Sequence, residues 1–183
     1  MIRKTLMFIG VLAISTAAFA QANADEIDRA TAAAPRNAKD AVMVIHWKAD
    51  FTYDILRPAT ASQLVCYDQS GQPNEQPFSS QCTSIANLPR VAQNKKFEVE
   101  LDRTKRQAAI DAAEKDGTRI KPEFGSPFMT FAGADRASAR MHTTIAVPGA
   151  TTATMGLPEN GQKGGAWIMN AGTSTAHIMV PGS

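Results

Sequence analysis

The sequence predicts a mainly β protein, a β-sandwich with one short surface helix. Three observations favour this fold class. An apolar side chain recurs at every second position over residues 43–55, which is the period of a β-strand with one buried face. Short apolar segments, seven or so, are separated by turns rich in glycine, proline and asparagine, as in a β-sandwich. A helical pattern is confined to residues 103–116.

The long alternating segment, residues 41–56, is expected to be the first strand. Polar side chains such as His46 occupy the alternate positions after Val44, so one face of the strand is expected to be buried and the other solvated. The apolar face consists of Met43, Ile45, Trp47, Ala49, Phe51, Tyr53 and Ile55. The simplest interpretation is that this face packs inside the chain's own sandwich, because a long apolar strand left unpaired promotes aggregation.

Residues 1–20 have the organisation of a secretory signal peptide. Arg3 and Lys4 supply positive charge before an uncharged apolar run, and Ala18-Phe19-Ala20 offers a cleavage site. The apolar run is too short to span a bilayer comfortably, and no later run reaches the about 18 residues that a transmembrane helix needs. We therefore expect export to the periplasm or cell surface and a mature chain without a transmembrane segment.

Cleavage would also leave the mature chain formally neutral. The full sequence has 19 basic and 17 acidic side chains, and loss of Arg3 and Lys4 leaves 17 basic against 17 acidic ones. Nucleic-acid binding depends on a clear basic excess. Nucleic acid is therefore not expected as a partner.

Residues 21–40 are expected to form a flexible leader. Ile27 is their only large aliphatic residue, and a segment with so little apolar surface does not offset the entropy cost of ordering. Residues 41–183 then form a single β-sandwich domain, which is long enough to bury one hydrophobic core.

The two cysteines, Cys66 and Cys82, both belong to the exported part of the chain. In an oxidising compartment an isolated pair usually forms a disulfide, and a loop of this size would gain roughly 3 kcal/mol from the cross-link. A metal pair or a redox pair normally has CxxC spacing, which this pair lacks. We therefore predict a structural disulfide between them.

The remaining elements follow from local patterns. A second strand is expected at residues 63–67, a loop at 68–80 and an alternating strand at 96–101. Asp102 at the N-cap and Gly117 just past the end bound one alanine-rich surface helix. Further strands are expected at residues 128–131, 140–147, 166–169 and 176–180.

The sequence contains no recognisable catalytic constellation, so we predict no catalytic residues and no enzymatic activity. The three histidines lack HExxH or HxH spacing. Residues 172–176 imitate a GxSxG nucleophile elbow but end in alanine, and they are better explained as a turn entering the last strand. Glu98 and Glu100 alternate with apolar residues in the manner of an exposed strand.

A second class of function is a monomeric periplasmic binding protein for a metal or a small ligand. Imidazole and thioether groups suit Cu(I), although methionine also fills gaps in ordinary cores. The side chains that suggest copper are His142, His177, Met141, Met155, Met169 and Met179. No metal ligand or cofactor is assigned on this basis.

The first strand also resembles part of a known family. The segment of residues 50–56, DFTYDIL, is similar to the D-x-T-x-D-I-L stretch of the major pilins of colonisation-factor, class 5 alternate chaperone–usher fimbriae. Later features follow a similar order in those pilins. They are the alternating Phe97, Val99 and Leu101, then Ile120, Pro122 and Gly125, and an apolar end before Gly182-Ser183.

The resemblance implies an immunoglobulin-like subunit that lacks its last strand. The N-terminal strand of each copy would complete the sandwich of a neighbouring copy, and a periplasmic chaperone and an outer-membrane usher would assist assembly. The donor-strand residues would be Met43, Ile45, Trp47, Ala49, Phe51 and Tyr53. The first functional hypothesis is therefore an exported adhesive or structural fimbrial subunit, without a cofactor, that assembles by β-strand exchange.

Overall fold

Eight strands form one mixed sheet, which confirms the mainly β prediction. The computed structural model describes residues 21–180, so the signal peptide predicted at residues 1–20 lies outside the described part. The strands are β1 (Met43–Trp47), β2 (Tyr53–Arg57), β3 (Leu64–Asp68), β4 (Phe78–Ser84), β5 (Pro127–Gly133), β6 (Arg140–Ala146), β7 (Trp167–Met169) and β8 (His177–Met179). Their order across the sheet is β2-β1-β3-β4-β5-β6-β8-β7. Neighbouring strands run antiparallel except β1 and β3, which are parallel.

Four α-helices accompany the described sheet. Residues 21–30 form α1. The others are α2 (Leu88–Glu98), α3 (Arg103–Asp116) and the single turn α4 (Thr152–Met155). Leu88 and Val91 of α2 pack with Ile45 on one face of the sheet, whereas Ala30 at the end of α1 packs with Val44 on the opposite face. The centre of the sheet is therefore covered on both sides, which explains why three successive residues of β1, from Met43 to Ile45, are all buried.

The first predicted strand is instead a hairpin. The chain turns between β1 and β2, where the N–H of Lys48 donates to the carbonyl oxygen of Thr52 at 2.8 Å and Phe51 adopts a left-handed φ of 67°. Trp47 lies opposite Tyr53 in the register. Paired residues share a face, so the period of two continues through both arms of the hairpin. The alternation predicted extended structure correctly, but it does not distinguish a hairpin from one long strand. The expected burial of the apolar face is wrong for β2, where Tyr53 and Ile55 are exposed.

The segment expected to be a flexible leader differs from that prediction. It forms α1, a 3₁₀ turn at Thr31–Ala33 and further turns. Ala30 and Ala33 are fully buried, and the hydroxyl of Ser80 donates to the carbonyl oxygen of Ala30 at 2.7 Å. Small side chains let this backbone approach the sheet closely, so the segment contributes to the core without large aliphatic residues.

Ion pairs and a histidine–carboxylate contact connect α1 to other parts of the chain. Arg29 binds Asp68 at the end of β3 at 2.6 Å, and Glu26 binds His46 of β1 at 2.6 Å. Asp28 pairs with Arg136 in the β5–β6 connection. The Arg136 guanidinium lowers the pKa of the Asp28 carboxyl to about 2. Exposed pairs of this kind contribute at most about 1 kcal/mol each, so they orient the helix more than they stabilise it.

The predicted disulfide is confirmed. Cys66 of β3 and Cys82 of β4 lie directly opposite each other in the antiparallel register, with 4.1 Å between their Cα atoms. Both are fully buried and belong to the cluster that packs beneath Ala30 and Ala33. The bridge therefore closes the β3–β4 hairpin at the centre of the sheet.

The predicted helix is confirmed as α3, but the strand predicted just before it is wrong. The carboxylate of Asp102 accepts the N–H of Thr104 at 2.9 Å, and Gly117 ends the helix with a left-handed φ of 78°. Residues 96–98 instead belong to the last turn of α2, and Leu101 is 69% exposed. The alternation at residues 96–101 begins inside a helix that starts earlier, near a proline in its first turn.

The variant Cys66→Ala/Cys82→Ala is expected to unfold with a free energy lower by about 3 kcal/mol, because the unfolded chain regains the freedom of the closed loop. Urea unfolding followed by tryptophan fluorescence measures the loss. Wild-type protein reduced with a dithiol is the matched control and should lose a similar amount. Equal midpoints for the oxidised wild type and the variant would contradict a stabilising role.

Candidate functional site

A cavity of 430 Å³ lies between the helices and the sheet, within the usual size range of small-molecule sites. Its sheet wall comes from β4, β5, β6 and β8, and its other wall from α2, α3 and the segment after α3. The sheet wall includes Gln81, Phe128, Thr130, His142, Thr144 and His177. The helical wall includes Arg90, Asn94, Phe97, Glu98, Arg106 and Ile110, with Arg119 and Pro122 after α3.

The lining of the cavity is basic. Three arginines, Arg90, Arg106 and Arg119, face one carboxylate, that of Glu98, which gives a formal excess of two positive charges with the histidines neutral. Burial raises the pKa of the Glu98 carboxyl, against the opposing effect of nearby Lys95. The cavity therefore concentrates positive charge in a protein whose overall charge is close to balance.

Arg119 is held in the wall by its two terminal nitrogens. Nη1 donates to the side-chain oxygen of Gln93 at 2.7 Å, and Nη2 donates to that of Asn94 at 2.6 Å. Its guanidinium also lies 5.1 Å from the ring centre of Phe97. The residue is only 7% exposed, and its buried Nε has no hydrogen-bond partner. Burial lowers the pKa of Arg119.

Arg90 of α2 is a second buried cation in the same wall. It is 4% exposed, and its Nη1 donates to the carbonyl oxygen of Ile120 and to the hydroxyl of Ser174 at 3.2 Å. Burial, and then the charge of Arg119, lower the pKa of Arg90 to about 10. The positive charge of Arg119 thus disfavours the charged form of Arg90, whereas the Glu114 carboxylate favours it.

Neither buried arginine forms a direct ion pair, although the charge of Glu114 opposes the fall in the pKa of both and that of Glu98 opposes it at Arg119. The ion pairs formed among residues 21–180 have Arg29, Lys39, Lys48 and Arg136 as their cations. Buried charges are normally paired, because an isolated charge away from water is costly. The cavity wall thus contains two buried cations whose direct hydrogen-bond acceptors are neutral, with the carboxylates of Glu98 and Glu114 nearby.

Ser174 joins the β7–β8 connection to both helices. Its hydroxyl accepts from Arg90 and donates to the carboxylate of Glu114 on α3. The backbone N–H of Ser174 also donates to Glu114, at 3.2 Å. This serine is the one in the sequence that imitates a nucleophile elbow. Its hydroxyl is occupied by a carboxylate and a guanidinium, and these contacts position Arg90.

The residues that suggested copper are only partly brought together. His142 of β6 and His177 of β8 both line the cavity, and His177 Nδ1 lies 2.7 Å from the carbonyl oxygen of Thr175. Met141 packs beside the disulfide cluster, whereas Met155 packs in a separate cluster near Ile168. Within residues 21–180 no group of three or more histidine, cysteine, aspartate or glutamate side chains is arranged to hold a metal ion.

The proposed donor-strand residues lie in different environments. Met43, Ile45 and Trp47 are buried in β1, which is paired with β2 on one edge and with β3 on the other. Ala49 and Phe51 are in the hairpin loop rather than in a strand. Tyr53 begins β2 and is 38% exposed. In this chain β1 is therefore part of the molecule's own sheet, and donation to a neighbour would require these pairs to break.

The arginines of the cavity were missed by sequence reasoning. Arg90, Arg106 and Arg119 lie far apart along the chain, and no short motif links them. Arg106 was visible only as part of the alanine-rich surface helix, and Arg90 lies in α2, which the sequence analysis did not predict. One sequence signal could have predicted α2. Pro89 falls in its first turn, where proline favours helix initiation.

Comparisons with protein-family models, with curated proteins and with solved structures find no match to this chain. No helix among residues 21–180 is both long and apolar enough to cross a membrane. The function is therefore inferred from the geometry of the chain itself. Its most specific feature is the basic cavity between α2, α3 and the sheet.

The variant Arg119→Lys is expected to lower the free energy of unfolding by about 1–2 kcal/mol, because one ammonium does not reproduce the planar fork that serves Gln93 and Asn94. Chemical unfolding measures the loss. Arg103→Lys is the matched control, since Arg103 lies exposed in the first turn of α3. A loss of the same size in both variants would contradict a specific positioning role for Arg119.

Proposed function

We propose that this protein is an exported, self-contained binding protein that takes up a small ligand between α2, α3 and the sheet. The observation that carries the proposal is the 430 Å³ cavity, in which polar side chains from four strands and two helices converge. Cavities of this size with a few convergent polar groups are the usual form of small-molecule sites.

Two further observations support a self-contained exported protein. β1 has hydrogen-bonded neighbours from its own chain along both edges, so the sheet does not need a strand from another molecule at that position. The disulfide between Cys66 and Cys82 is fully buried, which suits the oxidising compartment that the predicted signal peptide implies.

The variant Thr144→Trp tests the cavity directly. Thr144 of β6 lines it, and a tryptophan there is expected to fill the space and abolish ligand binding. The measurement is saturation-transfer difference NMR with a library of small polar molecules on the mature protein. We expect hits on the wild type that disappear in the variant.

Thr143→Trp is the matched control, because adjacent strand residues point to opposite faces and Thr143 does not line the cavity. It should retain the hits. Far-UV circular dichroism and thermal melting establish that both variants are folded. A library without any hit that Thr144→Trp abolishes and Thr143→Trp keeps would overturn the proposal.

Strand exchange of the fimbrial kind is the second candidate. It would involve copies of this chain, an immunoglobulin-like sandwich, and a periplasmic chaperone and usher. The observation that favours it is the outer edge of β2, which has no neighbouring strand in the described sheet. Ile55 on this strand is 56% exposed, and exposed apolar edge strands can pair with another chain.

The two candidates differ in the expected oligomeric state. For the main proposal we expect the mature protein to migrate as a monomer on an unheated gel and in size-exclusion chromatography. A ladder of multimers that collapses on boiling would favour strand exchange. Ile55→Lys should then abolish the ladder, whereas Leu101→Lys, at an exposed apolar position away from the sheet, should leave it intact.

A further inference from the structure

We propose that the cavity binds a small organic carboxylate, whose anionic group lies against Arg119 and Arg90 while its apolar part contacts Phe97 and Phe128. This inference rests on the proposed ligand-binding function and specifies the chemical class of the ligand. The hydrogen bonds, the charge and the apolar surface of the cavity wall support it.

Arg119 has a buried N–H group, that of Nε, without a hydrogen-bond acceptor. Nη1 and Nη2 already donate to Gln93 and Asn94, whereas Nε is buried without an acceptor. A buried donor without a partner is costly, and such groups are rare in folded proteins. Arg119 also lines the cavity, and arginine is well suited to carboxylates by its planar geometry.

The wall of the cavity carries an excess of positive charge. The titratable groups that line the cavity are Arg90, Arg106, Arg119, Glu98, His142 and His177. Arg90 and Arg119 form no direct ion pair within residues 21–180, and the carboxylates that act on them are those of Glu98 and Glu114. The three arginines of the wall exceed these two carboxylates, so an anion between the helices and the sheet would offset the remaining positive charge, and a neutral ligand would not.

The apolar part of the wall favours an organic carboxylate over a simple inorganic anion. Beside the cations the wall carries the rings of Phe97 and Phe128 and the aliphatic surface of Ile110 and Pro122. The cavity of 430 Å³ is also much larger than an isolated phosphate requires. A carboxylate on an aromatic or aliphatic body would use both the cationic and the apolar parts of this wall.

The test compares phenylacetate with its neutral near-isostere phenylacetamide, and both with inorganic phosphate. Each is titrated into ¹⁵N-labelled mature protein while the Nε–Hε cross-peak of Arg119 is followed by NMR. We expect phenylacetate to shift this cross-peak and to bind at least about tenfold more tightly than the amide, because a hydrogen bond to a charged group is about twice as strong as a neutral one.

A pair of arginines on α3 supplies the matched variants. Arg106→Gln should weaken phenylacetate binding several-fold, because Arg106 lines the cavity. Arg103→Gln removes the same charge from the same helix outside the cavity and should leave the affinity unchanged. Because Arg119 and Arg90 are intact in both variants, the result does not depend on whether a substitution of a buried arginine folds.

The outcomes separate this inference from the proposed function. Equal binding of the amide and the carboxylate would overturn the anionic class but leave a ligand-binding cavity. Phosphate binding as tightly as phenylacetate would overturn the organic class. Equal losses in Arg106→Gln and Arg103→Gln would show non-specific charge attraction and overturn the site. If the library screen finds cavity ligands but none of these probes moves the Arg119 cross-peak, the carboxylate proposal alone fails.

Discussion

The central strands of the sheet have to be covered on both faces. β1, β3 and β4 carry consecutive buried residues rather than one buried face. Ala30 and Ala33 cover one side over the disulfide, and Leu88 and Val91 cover the other. Towards β5 and β6 the cover is less complete, since most residues of these strands are only partly buried. The basic cavity lies where this cover thins, between the ends of the helices and the second half of the sheet.

Local chemistry predicted those elements whose signals are self-contained. Asp102 and Gly117 bounded α3 because an N-cap and a left-handed C-cap act over a single turn. Cys66 and Cys82 were paired because an exported chain with two cysteines leaves few alternatives. Alternation was less specific. It identified the extended segments that form β1 and β2 but not which of their side chains are buried, since Val44 is buried and Ile55 is exposed. It also did not place the turn between them, because residues opposite each other in a hairpin keep the same parity.

The failures have a common physical cause, which is tertiary contact. Ala30 and Ala33 carry little apolar surface each, yet they are buried because their small side chains let the backbone reach Ser80. Phe97 belongs to a helix because the chain has already started α2, so the alternation of residues 96–101 is overridden. The cavity arginines show the same limit. The burial of Arg90 and Arg119 against neutral acceptors exists only once distant segments meet, and no spacing in the sequence encodes it.

The two buried guanidiniums also bear on why the fold keeps its cavity. Replacing a buried ionic group by apolar residues of similar size is often neutral or stabilising, so stability alone gives little reason to place Arg90 and Arg119 together. Each is nevertheless fixed by neutral acceptors from another segment: Gln93 and Asn94 hold Arg119, and Ser174, itself bonded to Glu114, holds Arg90. A buried pair of cations, one of them with an unused donor at Nε, departs from the local rules that the rest of the chain obeys. Such departures are expected at functional sites, and binding of a complementary anion, as proposed above, would offset the free-energy cost of holding these groups in place.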